Sequence, residues 1–156
     1  MPTKDTGAKE SHKKHAVDLF NLTWDLLDKQ DRTADEDDKM VHAAHASRFH
    51  WGEIGTPLEF ERGEWQISRV YAVVNRPEAA LHHARRCLEI CQANDIGDFD
   101  VAFAYEAMAR AHAVAGDVAK SKKYIALGEQ ASVQIEDKDN REYFDGELKS
   151  VSDLLA

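Results

Sequence analysis

The chain carries an internal echo. Residues Glu61 to Cys91 and Ala102 to Ala131 place related residue types at the same offsets, 41 positions apart. In the first copy Tyr71 closes one helix, Asn75, Arg76 and Pro77 make the turn, and Ala80, Leu81, Ala84 and Cys87 line the helix that follows. In the second, His112 stands where Tyr71 does, and Gly116, Asp117 and Val118 make the turn. Ser121, Ile125 and Gly128 then fall at the offsets of Ala80, Ala84 and Cys87. A unit of this length is one helix hairpin, which cannot bury its own apolar face, so neighbouring units must stack to make a core. The expected fold class is all-α, an open stack of antiparallel helix hairpins rather than a closed bundle.

Seven helices and no strands are expected. Helix 1 covers about Lys9 to Gln30, with residues 1–8 flexible. Asp31 to Asp38 forms an acidic turn in which Thr33 and Glu36 make a capping box for helix 2, about Ala34 to Trp51, ending at Gly52. That acidic run lacks the glycine and terminal glutamate of a calcium loop and reads as structural. Thr56 and Pro57 start helix 3, which continues to Val74; Pro77 starts helix 4, which ends near Asn94. Gly97 and Asp98 to Asp100 punctuate the chain before helix 5, about Val101 to Ala115. Helix 6 follows Gly116-Asp117 and runs to about Glu136. Residues 138–156 form a C-terminal capping helix whose Phe144, Leu148, Val151 and Leu155 share one stripe.

A chain of 156 residues, 43% of them hydrophobic, is one domain, 1–156, able to bury a core without staples. Twenty Lys and Arg against 29 Asp and Glu leave a net charge of -9, which repels nucleic acid phosphates and anionic lipid. No apolar run approaches the roughly 18 residues that span a bilayer, and Met1 to Lys14 lacks the apolar stretch of a secretory signal. A cytoplasmic location, with no nucleic acid and no membrane partner, is the expectation. Cys87 and Cys91 sit four apart on one helix, where side chains are about 5–6 Å apart at Cβ. That is wider than a disulfide's roughly 3.8 Å, so reduced thiols are expected.

The repeat resembles the tetratricopeptide repeat, in which small residues let paired helices pack closely. Tyr71, Ala80 and Leu81 carry the resemblance in one copy; Tyr105, Ala109, Gly116-Asp117 and Gly128 carry it in the other. Helices 1 and 2 form a degenerate third copy. The spacing of 41 exceeds the family's usual value of about 34, which implies longer helices, and Glu64 and Ser121 are polar where the family has small or apolar residues. The resemblance implies a right-handed superhelix whose first helices line a concave groove.

At the groove-lining offsets stand Arg62, Trp65, Gln66 and Arg69 on helix 3, Phe103, Glu106, Ala107 and Arg110 on helix 5, and Asn21, Trp24, Asp25 and Asp28 on helix 1. Arg69 and Arg110 recur at one position, beside the indole of Trp65. Arginine grips a carboxylate with two parallel hydrogen bonds, and an aromatic neighbour adds stacking area, which suits an anionic ligand or a peptide C-terminus. The other reading pairs these arginines with Glu64, Glu106 or Asp28 and makes Trp24 and Trp65 core residues.

A second candidate lies on helix 2. His42, His45 and His50 occupy part of its circumference, and aligning Ala46 with Ala84 turns His42 and His50 toward helix 3, whose core-facing offset holds Glu64. Imidazoles with a carboxylate suit a divalent transition metal; the plainer reading is a hydrogen-bonded network in which Glu64 orients a histidine. His83, Cys87 and Cys91 share a stripe that could catch zinc or copper(I), although Cys87 falls at the small buried position matched by Gly128 and reads as packing.

No nucleophile elbow, phosphate loop, dinucleotide fingerprint or HExxH pair is present. The expected function is a non-catalytic binding module holding a peptide or small anionic ligand in its groove, with no cofactor and with self-association into a homodimer as an accompaniment. The alternative is a small metal-dependent or ligand-sensing protein that uses His42, His45, His50 and Glu64.

Overall fold

Helices begin where the sequence supplies caps. In the computed structural model, which describes residues 2–156 with side chains from residue 6 onward, Thr33 Oγ1 accepts the Glu36 N–H at 3.2 Å while Glu36 accepts the Thr33 N–H at 3.0 Å. Glu59 closes the same kind of box on Thr56, ahead of Pro57. Asp117 and Asp137 each accept a main-chain N–H three residues on. The described residues form α1 (Pro2–Asp28), α2 (Ala34–Ile54), α3 (Pro57–Val73), α4 (Pro77–Ala93), α5 (Asp98–Val114), α6 (Val118–Ser132) and α7 (Lys138–Leu154), with no strand among them.

Four boundaries differ from expectation. Helix α1 begins at Pro2 instead of Lys9, so residues 2–8, expected to be flexible, are helical, and Met1 lies outside the described residues. Gly52 does not stop α2, which runs to Ile54 and is closed by the Gly55 N–H on Trp51 O. Helix α5 opens at Asp98, so Phe99 and Asp100 belong to its first turn. Helix α6 stops at Ser132, where Ile135 N–H turns back onto Ser132 O.

Three contacts recur 41 residues apart. Arg76 N–H bonds Tyr71 O at 2.8 Å and Asp117 N–H bonds His112 O at 2.9 Å, with Asn75 at φ 60° and Gly116 at φ 81° in the two turns. These are equivalent left-handed helix ends. Ser68 Oγ reaches Ala80 O in the first hairpin; Ser121 Oγ reaches Ala109 O in the second, so the serine has changed helices while the bond stays at one place. The ring stack swaps in the same way, Tyr71 on His83 and His112 on Tyr124, at 5.8 and 5.6 Å between centroids.

Each helix packs on its chain neighbours. In addition the backbones of α1 and α3, of α3 and α5 and of α5 and α7 approach closely, whereas α2 meets α4 through side chains, His45 on His83 with centroids 5.4 Å apart. The odd-numbered helices therefore lie together along one side. Helix α7 closes the end by placing Phe144, Leu148 and Val151 in a core with Phe103 and Ile125. Its approach is tightest at Gly128, where an added Cβ would stand 3.2 Å from both Leu148 methyls. No described helix is long and apolar enough to cross a membrane.

A Cβ on Gly116 would meet nothing within 4 Å, so substitution there acts through backbone conformation alone. Gly116→Ala is expected to lower unfolding stability by about 1 kcal/mol, and Asn75→Gly to leave it unchanged or raise it slightly. Urea denaturation followed by circular dichroism checks both.

Candidate functional site

Helices α1, α3, α5 and α7 line a half-open cavity of about 400 Å³. Phe20 and Trp24 from α1 face it together with Trp65 from α3, and Phe99, Phe103 and Tyr143 face it from α5 and α7. Trp24 and Trp65 stack with centroids 5.6 Å apart, and Phe103 meets Trp65 edge-on at 5.6 Å. Aromatic contacts of this kind hold a rigid apolar wall. The polar lining is Glu61, Arg62, Asp100 and Asn140.

Asp100 takes both Arg62 donors, Nε at 2.8 Å and Nη2 at 3.0 Å. Burial works to raise the Asp100 pKa, but these bonds and a further one from Glu61 outweigh it and hold the carboxyl low. Glu61 behaves oppositely: burial, then the hydrogen bond and charge of Asp100, push it up to about 11, so it is a neutral acid at pH 7. Its Oε2 is contacted by Cys91 Sγ at 3.1 Å and Cys87 Sγ at 3.5 Å. Its Oε1 is buried with no bond from a protein donor, and Arg62 Nε stands 3.9 Å away, beyond hydrogen-bond reach. As an acid, Glu61 hands its proton toward Asp100. Both cysteines are free and buried. The Cys87 thiol is pushed well up by its bond to Cys91 and by burial, and the same bond lowers Cys91.

The arginines expected to grip a ligand are already occupied. Glu106, fully buried, accepts Arg69 Nη1 at 2.9 Å and the two Arg110 donors at 3.4 Å. Arg69 also bonds Glu147 at 2.7 Å, and Arg110 bonds Ser150 Oγ at 2.7 Å and Glu147 O at 3.2 Å. Two cations and two anions thus join α3, α5 and α7 in a closed quartet that leaves no bidentate face for an outside carboxylate. Gln66 does not face the groove either; it is buried and donates to Phe20 O at 3.0 Å, tying α3 to α1. Of the expected groove residues, Trp24, Arg62, Trp65 and Phe103 meet at the cavity.

The proposed metal quartet is not assembled. His42 is exposed. His50 turns to α1, with its Nδ1 2.8 Å from His12 Nδ1 and its ring 5.2 Å from that of His15. His45 Nε2 meets the Tyr71 hydroxyl at 2.7 Å. Glu64 instead takes Arg48 Nε and His83 Nδ1, each at 2.9 Å. Helix α2 is longer and its histidines are rotated relative to the Ala46–Ala84 alignment, so one alignment offset misdirected two of them. Burial works to raise the Glu64 pKa, but His83 and Arg48 outweigh it and keep the carboxylate ionised. Burial and the nearby His83 lower the His45 pKa.

Among the described residues, the set that does bring metal-binding atoms together is Glu61, Cys87 and Cys91. Sequence reasoning missed Glu61, Asp100, Phe99 and Tyr143. A signal for Glu61 was present: its repeat equivalent is Ala102, so the fold does not need an acid there. Glu147 was legible in the same way, since it follows Glu106 by the repeat length of 41. No protein-family model, curated protein or solved structure matches the chain.

Two stability tests follow from these charges. Arg69→Met strands Glu106 on one long pair and is expected to cost about 3 kcal/mol, whereas Arg86→Ala, which breaks an exposed pair with Glu89, costs less than about 0.5 kcal/mol. Urea midpoints at constant slope distinguish them. His45 has a lower pKa folded than unfolded, so its contribution is complete above the unfolded value of about 6.5 and is lost as pH falls through the folded one. His45→Gln should flatten the fall in stability below about pH 6.5, leaving the later loss from Glu64 in place; thermal melts across that range measure it.

Proposed function

We propose that this chain is a non-catalytic binding module, built as a tetratricopeptide-like array, whose aromatic cavity holds a small, largely aromatic molecule carrying a hydrogen-bond acceptor. The observation that carries the reading is the cavity itself. Its volume of about 400 Å³ lies in the range of drug-sized ligand sites, roughly 300–1,000 Å³, and its walls are mostly rings. The polar features favour an acceptor on the ligand. The indole N–H of Trp65, a residue of the cavity wall, is buried without a protein partner.

The ligand class differs from the anionic one expected on Arg69 and Arg110. Those side chains are matched to Glu106 and Glu147, and Arg62 is matched to Asp100. A carboxylate entering the groove would have to displace an internal one, losing as much as it gains. An apolar ring system gains from burial alone, about 25 cal/mol for each Å² removed from water. The array reading draws on the equivalent turns of the two central hairpins and on the backbone approaches that run along the odd helices.

The test uses the neutral aromatic probe N-phenyl-1-naphthylamine. Its fluorescence is expected to rise on 1:1 binding at micromolar concentration while emission from Trp24 and Trp65 is quenched. Tyr143 is 52% exposed and can be shortened without opening the core. Tyr143→Ala and Phe103→Leu should each weaken the probe about tenfold, a change of about 1.4 kcal/mol. Equal binding by both variants, or no binding by the wild type, would refute the assignment.

A further inference from the structure

Behind the cavity wall, Glu61, Cys87 and Cys91 place one ligand atom each within 4.8 Å of one another. Zinc binds sulfur at about 2.3 Å and carboxylate oxygen at about 2.0 Å, and a tetrahedron with those bonds has sulfur-to-oxygen edges of about 3.5 Å. The observed separations from Glu61 Oε2 are 3.5 Å to Cys87 Sγ and 3.1 Å to Cys91 Sγ. On these two edges the donors need shifts of only a few tenths of an ångström, and the two sulfurs lie within 4.8 Å of each other.

Two further observations separate this group from ordinary packing. Glu61 is 1% exposed, it faces a second acid in Asp100, and the nearby cation, Arg62, stands 3.9 Å away, beyond hydrogen-bond reach. A carboxyl left that way is costly unless something compensates it, and thiols are weak donors. The fold itself makes no demand for these residues. At the equivalent positions of the next hairpin stand Ala102, Gly128 and Ser132, all buried, between helices that pair in the same manner. One hairpin thus fills the space with hydrocarbon and a hydroxyl, and the other with a carboxyl and two thiols.

We propose that Glu61, Cys87 and Cys91 form a binding site for a divalent ion of the zinc class at the base of the aromatic cavity. The ion replaces protons: those of both thiols and of Glu61 leave to solvent as two metal–sulfur bonds and one metal–oxygen bond form, and no electron is transferred. Two thiolates exclude magnesium and calcium, which take oxygen ligands, and the carboxylate favours zinc or cobalt(II) over copper(I). Three protein ligands leave one tetrahedral position, and Glu61 is the ligand that borders the cavity. The site stands independently of what the cavity binds.

The full chain, reduced and freed of metal with a chelator, is titrated with Co²⁺ and then with Zn²⁺. The expected result is one ion per chain, thiolate-to-cobalt charge-transfer absorption with the visible bands of a tetrahedral ion, and displacement of cobalt by zinc. Cys87→Ala with Cys91→Ser should remove the charge-transfer bands. Glu61→Gln should keep them and weaken zinc about 10- to 100-fold, and His42→Ala and His50→Ala should change neither. The wild-type spectrum is informative whether or not a variant folds. A cobalt complex without charge transfer, zinc uptake that survives loss of both cysteines, or no uptake by the wild type would overturn the site.

Discussion

Each central hairpin is held shut at one place, where a serine hydroxyl on one helix reaches a main-chain carbonyl on the other. Ser68 bonds Ala80 O, and Ser121 bonds Ala109 O, at equivalent points of the two units. Such a bond requires two backbones to come close, and that is possible because the residue facing each serine is alanine. The positions of the remaining side chains follow from this approach. It brings Tyr71 against His83 and His112 against Tyr124, and it leaves the outer faces of α3 and α5 free to meet α1 and α7. One hydrogen bond contributes only about 1 kcal/mol, so its role is chiefly to specify how the helices pair.

Where the hairpins meet, small apolar residues pack α4 on α5, and charge joins α3, α5 and α7. Glu106 is fully buried between Arg69 and Arg110, and Glu147 completes the quartet from α7. A buried carboxylate is costly without paired cations, which makes the arginines structural, and all of their bonds to Glu106 fall on Oε1 while Oε2 is left without a partner. The neutralisation of both arginines, with that of Arg62 by Asp100, leaves the inner side without an unpaired arginine. The cavity among Trp24, Trp65, Phe103 and Tyr143 is therefore an aromatic pocket, with Glu61 kept neutral by burial and by Asp100.

Much of the fold was legible. The capping box at Thr33, the starts at Pro57 and Pro77, and the stripe of Phe144, Leu148 and Val151 are local patterns whose physics is complete within a few residues. The candidate site was less so. Arg62, Trp65 and Phe103 were found because the repeat assigns them to one side, but Phe99 and Asp100 were placed before their helix, and Tyr143 was treated as part of a cap. The histidines of α2 show the limit more sharply. His42, His45 and His50 end in solvent, on Tyr71 and on His12, because a small error in helix rotation sends neighbouring imidazoles to different surroundings.

The sequence by itself determined the units: helix hairpins repeating every 41 residues, their turns, and the small residues at which they close. These follow from propensity, capping and periodicity, all of which act over short stretches of chain. Only the tertiary structure decided which charges meet. Arg69 reaches Glu147 across 78 positions, Arg62 reaches Asp100 across 38, and Glu61 finds Cys91 across 30. Partners at such separations depend on how each helix is turned about its axis, and that angle is set by packing against neighbours distant in sequence.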